Sequence, residues 1–476
     1  MKFVNLTKNT IHIGDLDRDI LYLEDNSPQE ISLDDAKRSK GFRRVILAGG
    51  FKIVACGKSI FEKNLLRLQA SAEELQAETI EKLRKRPNRA AKDQKGTSTP
   101  NNIEVRLRGH FYELGGYAKV NRNLAIGLHN EGVKVSIEPV NKKNNQLDED
   151  GIIKLGEIHS QVTRNAIVIE SVIPTLSISS FGKYNILYTT IEAKTIPKQF
   201  LEIANMYHEV WVTSDFCAEV LKSAGFKRDV IVMPNSFDIA AYNPDCEPYE
   251  FRPQLNDFIF LSVFGWSYRK GYDVLLKAYL KEFSGDEDVS LLIVSRNHLG
   301  VGKNDIIRDE ITKFVERYGG DNPPHIARCS KFIPEEIMPS IYKACDAFVL
   351  YSRGEGLGNI YVEASLCGLP VIATNCSGHA MFLKHHNSTL LEIDREEPMA
   401  SGLMPVHYWD NQVFPCLTNP ELIKNAGKLM RYVYENYEVA RIKNEKLQQF
   451  IRQNYSIPIV SKLAKERLAE IWRKIQ

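Results

Sequence analysis

The sequence predicts an α/β fold of two doubly wound parallel domains behind a small β-rich module, and three observations carry that expectation. From residue 102 onward, short runs rich in Val and Ile alternate with helix-like stretches in two successive series, the pattern of buried parallel strands joined by crossover helices. A polar, proline-bearing stretch, "FDIAAYNPDCEPYEFRPQLND" at residues 237–257, separates the two series. The second series holds a glycine-rich turn between a strand and a helix, "SRGEGLG" at 352–358, and open α/β sheets bind ligands at turns of this kind.

Taken in order, residues 1–58 alternate short β-like runs ("KFVNL", "TIHIGDL", "DILYL", "QEISL", "FKIVACG") with one helical stretch near "LDDAKRSKGFRRVILAGG". Residues 59–101 read as a helix followed by a linker that loses its apolar residues and gathers Pro, Gly, Ser and positive charge. Residues 102–245 contain "IEVRLRG", "VKVSIEPV", "AIVIES", "NILYTT", "EVWVTS" and "VIVMPN" as strands, with "YAKVNRNLAIGLHNEG" among the helices between them. Residues 246–455 repeat the architecture with "DFIFLSVFG", "VSLLIVS", "DAFVLYS" and "LPVIATN", and 456–476 form a closing helix.

The 476 residues suffice for two or three domains with their own cores. Hydrophobic content of 43%, 26% charge and a net charge of +2 are ordinary for a soluble protein and exclude a molecule built as a whole to bind polyanions. The basic run from Lys82 to Lys95 in the linker is the local exception, read either as a solvated tether or as a phosphate contact. Eight scattered cysteines without a CxxC pair fit a reducing cytosol. The N-terminus turns polar too soon for a signal peptide, and no stretch approaches the roughly 18 apolar residues of a membrane span.

The glycine-rich turn places Glu355 on a loop and Glu363, eight positions later, about one turn into the helix that Gly368 and Pro370 stop. On a single helix the two acids would lie about 12 Å apart along the axis, wider than the roughly 5 to 9.5 Å of a hydrolytic carboxylate pair. So placed, they suit hydrogen bonds to two hydroxyl-bearing parts of one elongated ligand.

These segments resemble the retaining glycosyltransferases of family 4, which have the GT-B fold of two facing Rossmann-like domains. The resemblance covers roughly residues 102–476 and rests on "LGGYAKVNRNLA", "YTTIEAKTIPKQF", "EVWVTSDFCAEVLKSAG", "VIVMPNSFDIAAYNP", "FGWSYRKGYDVLLKAY", "IPEEIMPSIYKACDAFVLYSRGEGLGNIYVEASLCGLPVIATNCSG" and "NYSIPIVSKLAKERLAEIW" in that order. It implies that 102–245 is the acceptor domain and 246–455 the donor domain, with the last helix a candidate to cross back to the first. It implies that Glu355 contacts the donor-sugar hydroxyls and Glu363 the ribose, and that Gly356, Leu357 and Gly358 offer backbone N–H groups to sugar and pyrophosphate beside Asn359. Arg269 and Lys270 in "WSYRKG" would neutralise the departing diphosphate. Many family members carry an arginine directly after the glycine that aligns with Gly265; this chain has Trp266, so which of the two cations faces the phosphates is open.

Ile333 would lie near the nucleotide base, unless it is plain core. Gly115, Gly116 and Tyr117 resemble the loop by which the first domain meets the donor phosphate or the acceptor. Thr190 and Glu192 are candidates for the acceptor side, where some relatives carry a histidine that is absent here. The resemblance implies no cofactor beyond the nucleotide diphosphate sugar and no metal. The "DED" triplets at Asp148–Asp150 and Asp286–Asp288 are read as charged turns, and "DLDRD" at Asp15–Asp19 lacks the glycine and glutamate of a calcium loop.

The expected protein is therefore a cytosolic hexosyltransferase using a UDP- or GDP-sugar and an unidentified acceptor: glycan, protein or modified DNA. The alternatives are a GT-B epimerase or phosphorylase, or a structural or binding protein of a tailed phage, since the N-terminal module is similar to small modules of phage proteins. A phage origin, in host cytoplasm, would make nucleic acid or a virion protein a partner through the module and linker, with a second copy of the chain as another.

Overall fold

The computed structural model describes residues 2–5, 11–13, 18–20, 29–30 and 51–55 and, from 102 on, all but 141–146, 148, 175–181, 243–244, 297–304, 330–332, 401–402 and 404–408. The helices expected near 33–50 and 60–86 and the basic linker lie outside the described residues. The chain divides into two compact units, residues 1–163 and 164–476.

In the first unit each of the five expected N-terminal runs overlaps a strand: β1 (Lys2–Asn5), β2 (Ile11–Ile13), β3 (Arg18–Ile20), β4 (Gln29–Glu30) and β5 (Phe51–Ala55). β1 pairs antiparallel with β4 and β5, and β2 with β3. Then β6 (Glu104–Gly109) and β7 (Lys134–Pro139) pair in parallel across helix α1 (Gly116–Asn130), and α2 (Glu149–Ile158) follows. The parallel pair needs a crossover, and α1 supplies it with Ala118, Leu124, Ala125 and Leu128 buried at helical spacing.

The second unit opens with parallel strands β8 (Ile167–Ser171), β9 (Tyr184–Thr189), β10 (Glu209–Val212) and β11 (Asp229–Val232), adjacent in that order, with α3 (Lys198–Ala204) and α4 (Asp215–Ser223) between them. β8 and β10 are buried along their whole length, which is why Ile167–Ile169 and Val210–Val212 are continuous apolar runs rather than alternating ones.

A six-stranded parallel sheet follows: β12 (Phe258–Gly265), β13 (Val289–Arg296), β14 (His325–Cys329), β15 (Ala347–Leu350), β16 (Val371–Thr374) and β17 (Thr389–Leu391). Its order is β14-β13-β12-β15-β16-β17. Helices α5 (Tyr272–Glu282), α6 (Ile306–Tyr318), α7 (Met338–Lys343) and α8 (Asn359–Leu366) connect the strands. Strands β14 and β17, both short and at the sheet edges, go beyond the runs legible in the sequence. Strand order reverses between β12 and β15, and in open α/β sheets ligands bind outside the carboxyl ends of the strands at such a switch point.

A hairpin of β18 (Glu396–Pro398) and β19 (Val413–Pro415) precedes α9 (Pro420–Glu435), α10 (Tyr437–Asn454) and α11 (Ile457–Ile475). From α11, Arg467 reaches Glu209 at 2.5 Å and Asp229 at 3.1 Å, so the last helix is tied to β10 and β11. Among the described residues no helix is long and apolar enough to cross a membrane.

Candidate functional site

The loops leaving β12 and β15 meet at the switch point. After β12 the chain makes a short turn, Tyr268–Lys270, and passes through Gly271 at φ +66, where a Cβ would stand 1.8 Å from the Tyr351 carbonyl oxygen. Only glycine allows the turn to press against the chain leaving β15. That turn delivers Arg269 and Lys270, and the β15 loop delivers Glu355.

Glu355 is 6% exposed. One of its carboxylate oxygens accepts from Lys270 Nζ at 2.5 Å and from Ser352 Oγ at 2.7 Å, with Arg269 at 3.4 Å. Burial works against its charge, but Lys270 and Arg269 outweigh it and hold the carboxyl down at about 2. Held down by the two cations, the Glu355 carboxylate accepts hydrogen bonds and does not donate them near neutral pH.

Arg269 lies between two acids: 3.0 Å from Glu192 on one side, Glu355 on the other, with the Gly354 carbonyl as a third acceptor. Its buried Nε finds no acceptor among the described residues. Burial, with Glu355 adding to it, raises the Glu192 carboxyl above its ordinary value in spite of Arg269.

Glu363 sits in a different setting. It is the fifth residue of α8, 8% exposed, and accepts from the Tyr342 hydroxyl at 3.3 Å. The helix starts at left-handed Gly358, φ +94, and ends where the Gly368 and Leu369 N–H groups turn back to the Ser365 and Ala364 carbonyls.

The other sequence candidates fall around these groups. Gly356 abuts Thr190 so closely that a Cβ would stand 1.3 Å from its Oγ1, and the Gly356 carbonyl accepts from Ser214 Oγ at 2.6 Å. Thr190 also pairs with Thr213 at 2.9 Å. Leu357 is core, and Asn359 accepts from Asn235 Nδ2 at 2.7 Å. Gly265 ends β12, and Ile333 packs half-buried against the core of that sheet. Gly115, Gly116 and Tyr117 lie in the first unit, where Gly115 caps α1. In the second "DED" triplet, Glu287 pairs with Arg431 and Asp288 accepts from the Asp257 N–H at 3.0 Å, so both acids have structural partners. Of the first, Asp148 lies outside the described residues.

Sequence reasoning missed Arg353, Asp273, Ser377 and His379. Ser377, at φ 51, accepts from the Glu355 N–H at 3.0 Å. His379 is fully buried, within 2.7 Å of the Thr374 carbonyl and beside the Tyr361 ring. The phrase "NCSGH" carried the signal, as a second small-residue turn after the next strand.

Residues 256–404, which hold this cluster except Thr190, Glu192, Thr213, Ser214 and Asn235, match the family described as Glycosyl transferases group 1. Among curated proteins, a D-inositol 3-phosphate glycosyltransferase of Corynebacterium jeikeium is 29% identical over 133 residues, 27% of this chain and 30% of that protein. An uncharacterized glycosyltransferase of Haemophilus influenzae is 28% identical over 179 residues, 37% of this chain and 44% of that one. The chain thus spans less than half the length of these relatives. Among solved structures, HepE of Anabaena in complex with UDP and glucose superimposes with a TM-score of 0.54 at 15% identity, over 77% of this chain and 100% of that one. Sucrose-phosphate synthase of Thermosynechococcus elongatus gives 0.55 at 13% identity, over 78% and 100%. At such identities the likeness shows the fold: α/β, with two Rossmann-like domains, as the sequence predicts.

Proposed function

We propose that the protein is a retaining glycosyltransferase that moves a hexose from a UDP- or GDP-sugar to a hydroxyl acceptor. The observation that carries this reading is the switch-point cluster: two half-buried cations converge on one ionised carboxylate, and the guanidinium of one keeps a buried N–H without an acceptor among the described residues. A diphosphate fits beside Arg269 and Lys270, which stabilise the charge that builds as it leaves. Glu355, beside them and unable to donate, accepts from the sugar hydroxyls and stabilises the oxocarbenium-like sugar. Glu363 takes the ribose hydroxyls, and Glu192 and Thr190 stand on the acceptor side.

Support comes also from the family match over 256–404 and from a fold neighbour described in complex with UDP-glucose. No covalent nucleophile is required in this scheme, since attack on the same face as the departing phosphate retains configuration. Arg269 and Lys270 supply the positive charge that a metal would otherwise bring.

The test is a screen of UDP- and GDP-sugars for hydrolysis and thermal stabilisation. A bound donor at 100 times its Kd should stabilise the fold by about 2.7 kcal/mol. The released or transferred sugar, followed by NMR, should keep the donor's anomeric configuration. Inverted product would refute retention, and no stabilisation by any nucleotide diphosphate would refute the donor site. An epimerase or phosphorylase would show itself in the products formed with and without acceptor.

A further inference from the structure

One arginine beside the donor cluster touches none of its charged groups. Arg353 is 2% exposed and lies two residues before Glu355. Its guanidinium grips Asp273 of α5 with two hydrogen bonds of 2.8 and 2.9 Å, donates to the Tyr268 carbonyl at 2.6 Å and stacks over the Tyr268 ring at 3.7 Å. Its backbone N–H donates to the Arg269 carbonyl at 2.7 Å. The one side chain therefore spans the β15 loop, the Tyr268–Lys270 turn and the first turn of α5.

We propose that Arg353, with Asp273, is the positioning pair that sets Lys270 and Arg269 against Glu355; the proposal rests on the donor-site reading given above. The two loops are 85 residues apart in sequence, and each alone has many conformations. Replacing a buried ion pair by well-packed apolar residues is often neutral for stability, so stability alone does not call for a pair here. Geometry does. Only a planar fork can satisfy both Asp273 oxygens, reach a carbonyl and lie flat on a ring at once. The short Lys270–Glu355 contact holds only while the turn and the loop keep their relative placement, and Arg353 joins the two.

The test compares Arg353→Lys with Arg431→Lys, a conservative change at a half-buried ion pair with Glu282 and Glu287 at the C-terminal end of α5. UDP affinity by calorimetry and UDP-glucose hydrolysis are measured at 25 °C alongside thermal unfolding. Lys270 is also followed by reductive methylation and mass spectrometry at neutral pH, with Lys277 as internal reference. Arg353→Lys should lower turnover and weaken UDP binding by about 10-fold or more each, and should methylate Lys270 several-fold faster than wild type while Lys277 is unchanged. Asp273→Asn should do the same to a smaller degree. Arg431→Lys should lower the unfolding temperature without any of these changes. If Arg353→Lys shifts only the unfolding temperature, or speeds methylation of both lysines alike, the pair is merely structural and the proposal falls. If the wild type binds no nucleotide sugar, the donor reading fails, and the methylation ratio still decides whether Arg353 sets Lys270.

Discussion

Glu355 and Glu363 are two carboxylates eight residues apart, 6% and 8% exposed, yet their surroundings have little in common. Glu355 lies on a loop and is met by two cations from another loop. Glu363 lies inside a helix and is met by a tyrosine hydroxyl. A buried charge needs partners, and the backbone around it decides which can arrive. A glycine loop can fold against a distant turn carrying Arg269 and Lys270, whereas a side chain inside a packed helix meets only what the neighbouring elements present, here the hydroxyls of Tyr342 from α7 and of Tyr242. The first site has compensating charges suited to a reaction in which charge moves; the second is a quieter environment suited to holding a hydroxyl.

The largest effect should come from removing the cations. Arg269→Ala with Lys270→Ala leaves Glu355 buried and uncompensated, which should cost about 3–5 kcal/mol of folding stability and abolish measurable UDP binding. Unchanged UDP affinity in a folded double variant would remove both cations from the donor site.

Glu355→Gln keeps the shape and removes the charge. Turnover should fall by about 10²–10³-fold, while affinity for free UDP, which gains an unencumbered Lys270, stays within about 3-fold of wild type or improves. Loss of UDP affinity with normal turnover would reverse the roles of the two glutamates.

A pH titration of stability separates groups within the first site. Burial holds His379 down at about 4, with Lys270 adding to it and Glu355 and the Thr374 carbonyl opposing. The unfolded chain takes up that proton near its ordinary value, about 6.5. Stability from this group is therefore complete above pH 6.5 and declines as pH falls towards 4, by on the order of 3 kcal/mol. Glu355 follows the same sign in a lower window: its contribution is present above about 4.5 and is lost as pH falls towards 2. Urea unfolding of wild type and His379→Gln across pH 4–7 should show a slope that the variant lacks; equal slopes would show that His379 does not titrate as its burial demands.

The smallest effect belongs to the quieter site. Glu363→Gln should weaken donor and free nucleotide alike, by about 1.5–3 kcal/mol for a lost charged hydrogen bond, with turnover at saturating donor close to wild type. A variant with unchanged affinity for both would place the ribose elsewhere.

Much of this was written in the sequence because it depends on local chemistry. Apolar runs mark buried parallel strands wherever they fold, so all ten strands expected between 102 and 375 are present, while β14 and β17, short edge strands, carried too little of that signal. The glycines of 352–358 marked a turn and so already placed Glu355 on a loop and Glu363 a turn into a helix. Tertiary structure alone decided the partners. That Lys270 meets Glu355, that Arg269 is shared with Glu192, and that Arg353 turns inward to Asp273 are contacts across 77 or more residues of chain. A charged residue beside a glycine reads as solvated until strand order is known. Strand order, set by how the crossover helices pack and not by any one segment, put β12 beside β15 and made a neighbour of each distant charge.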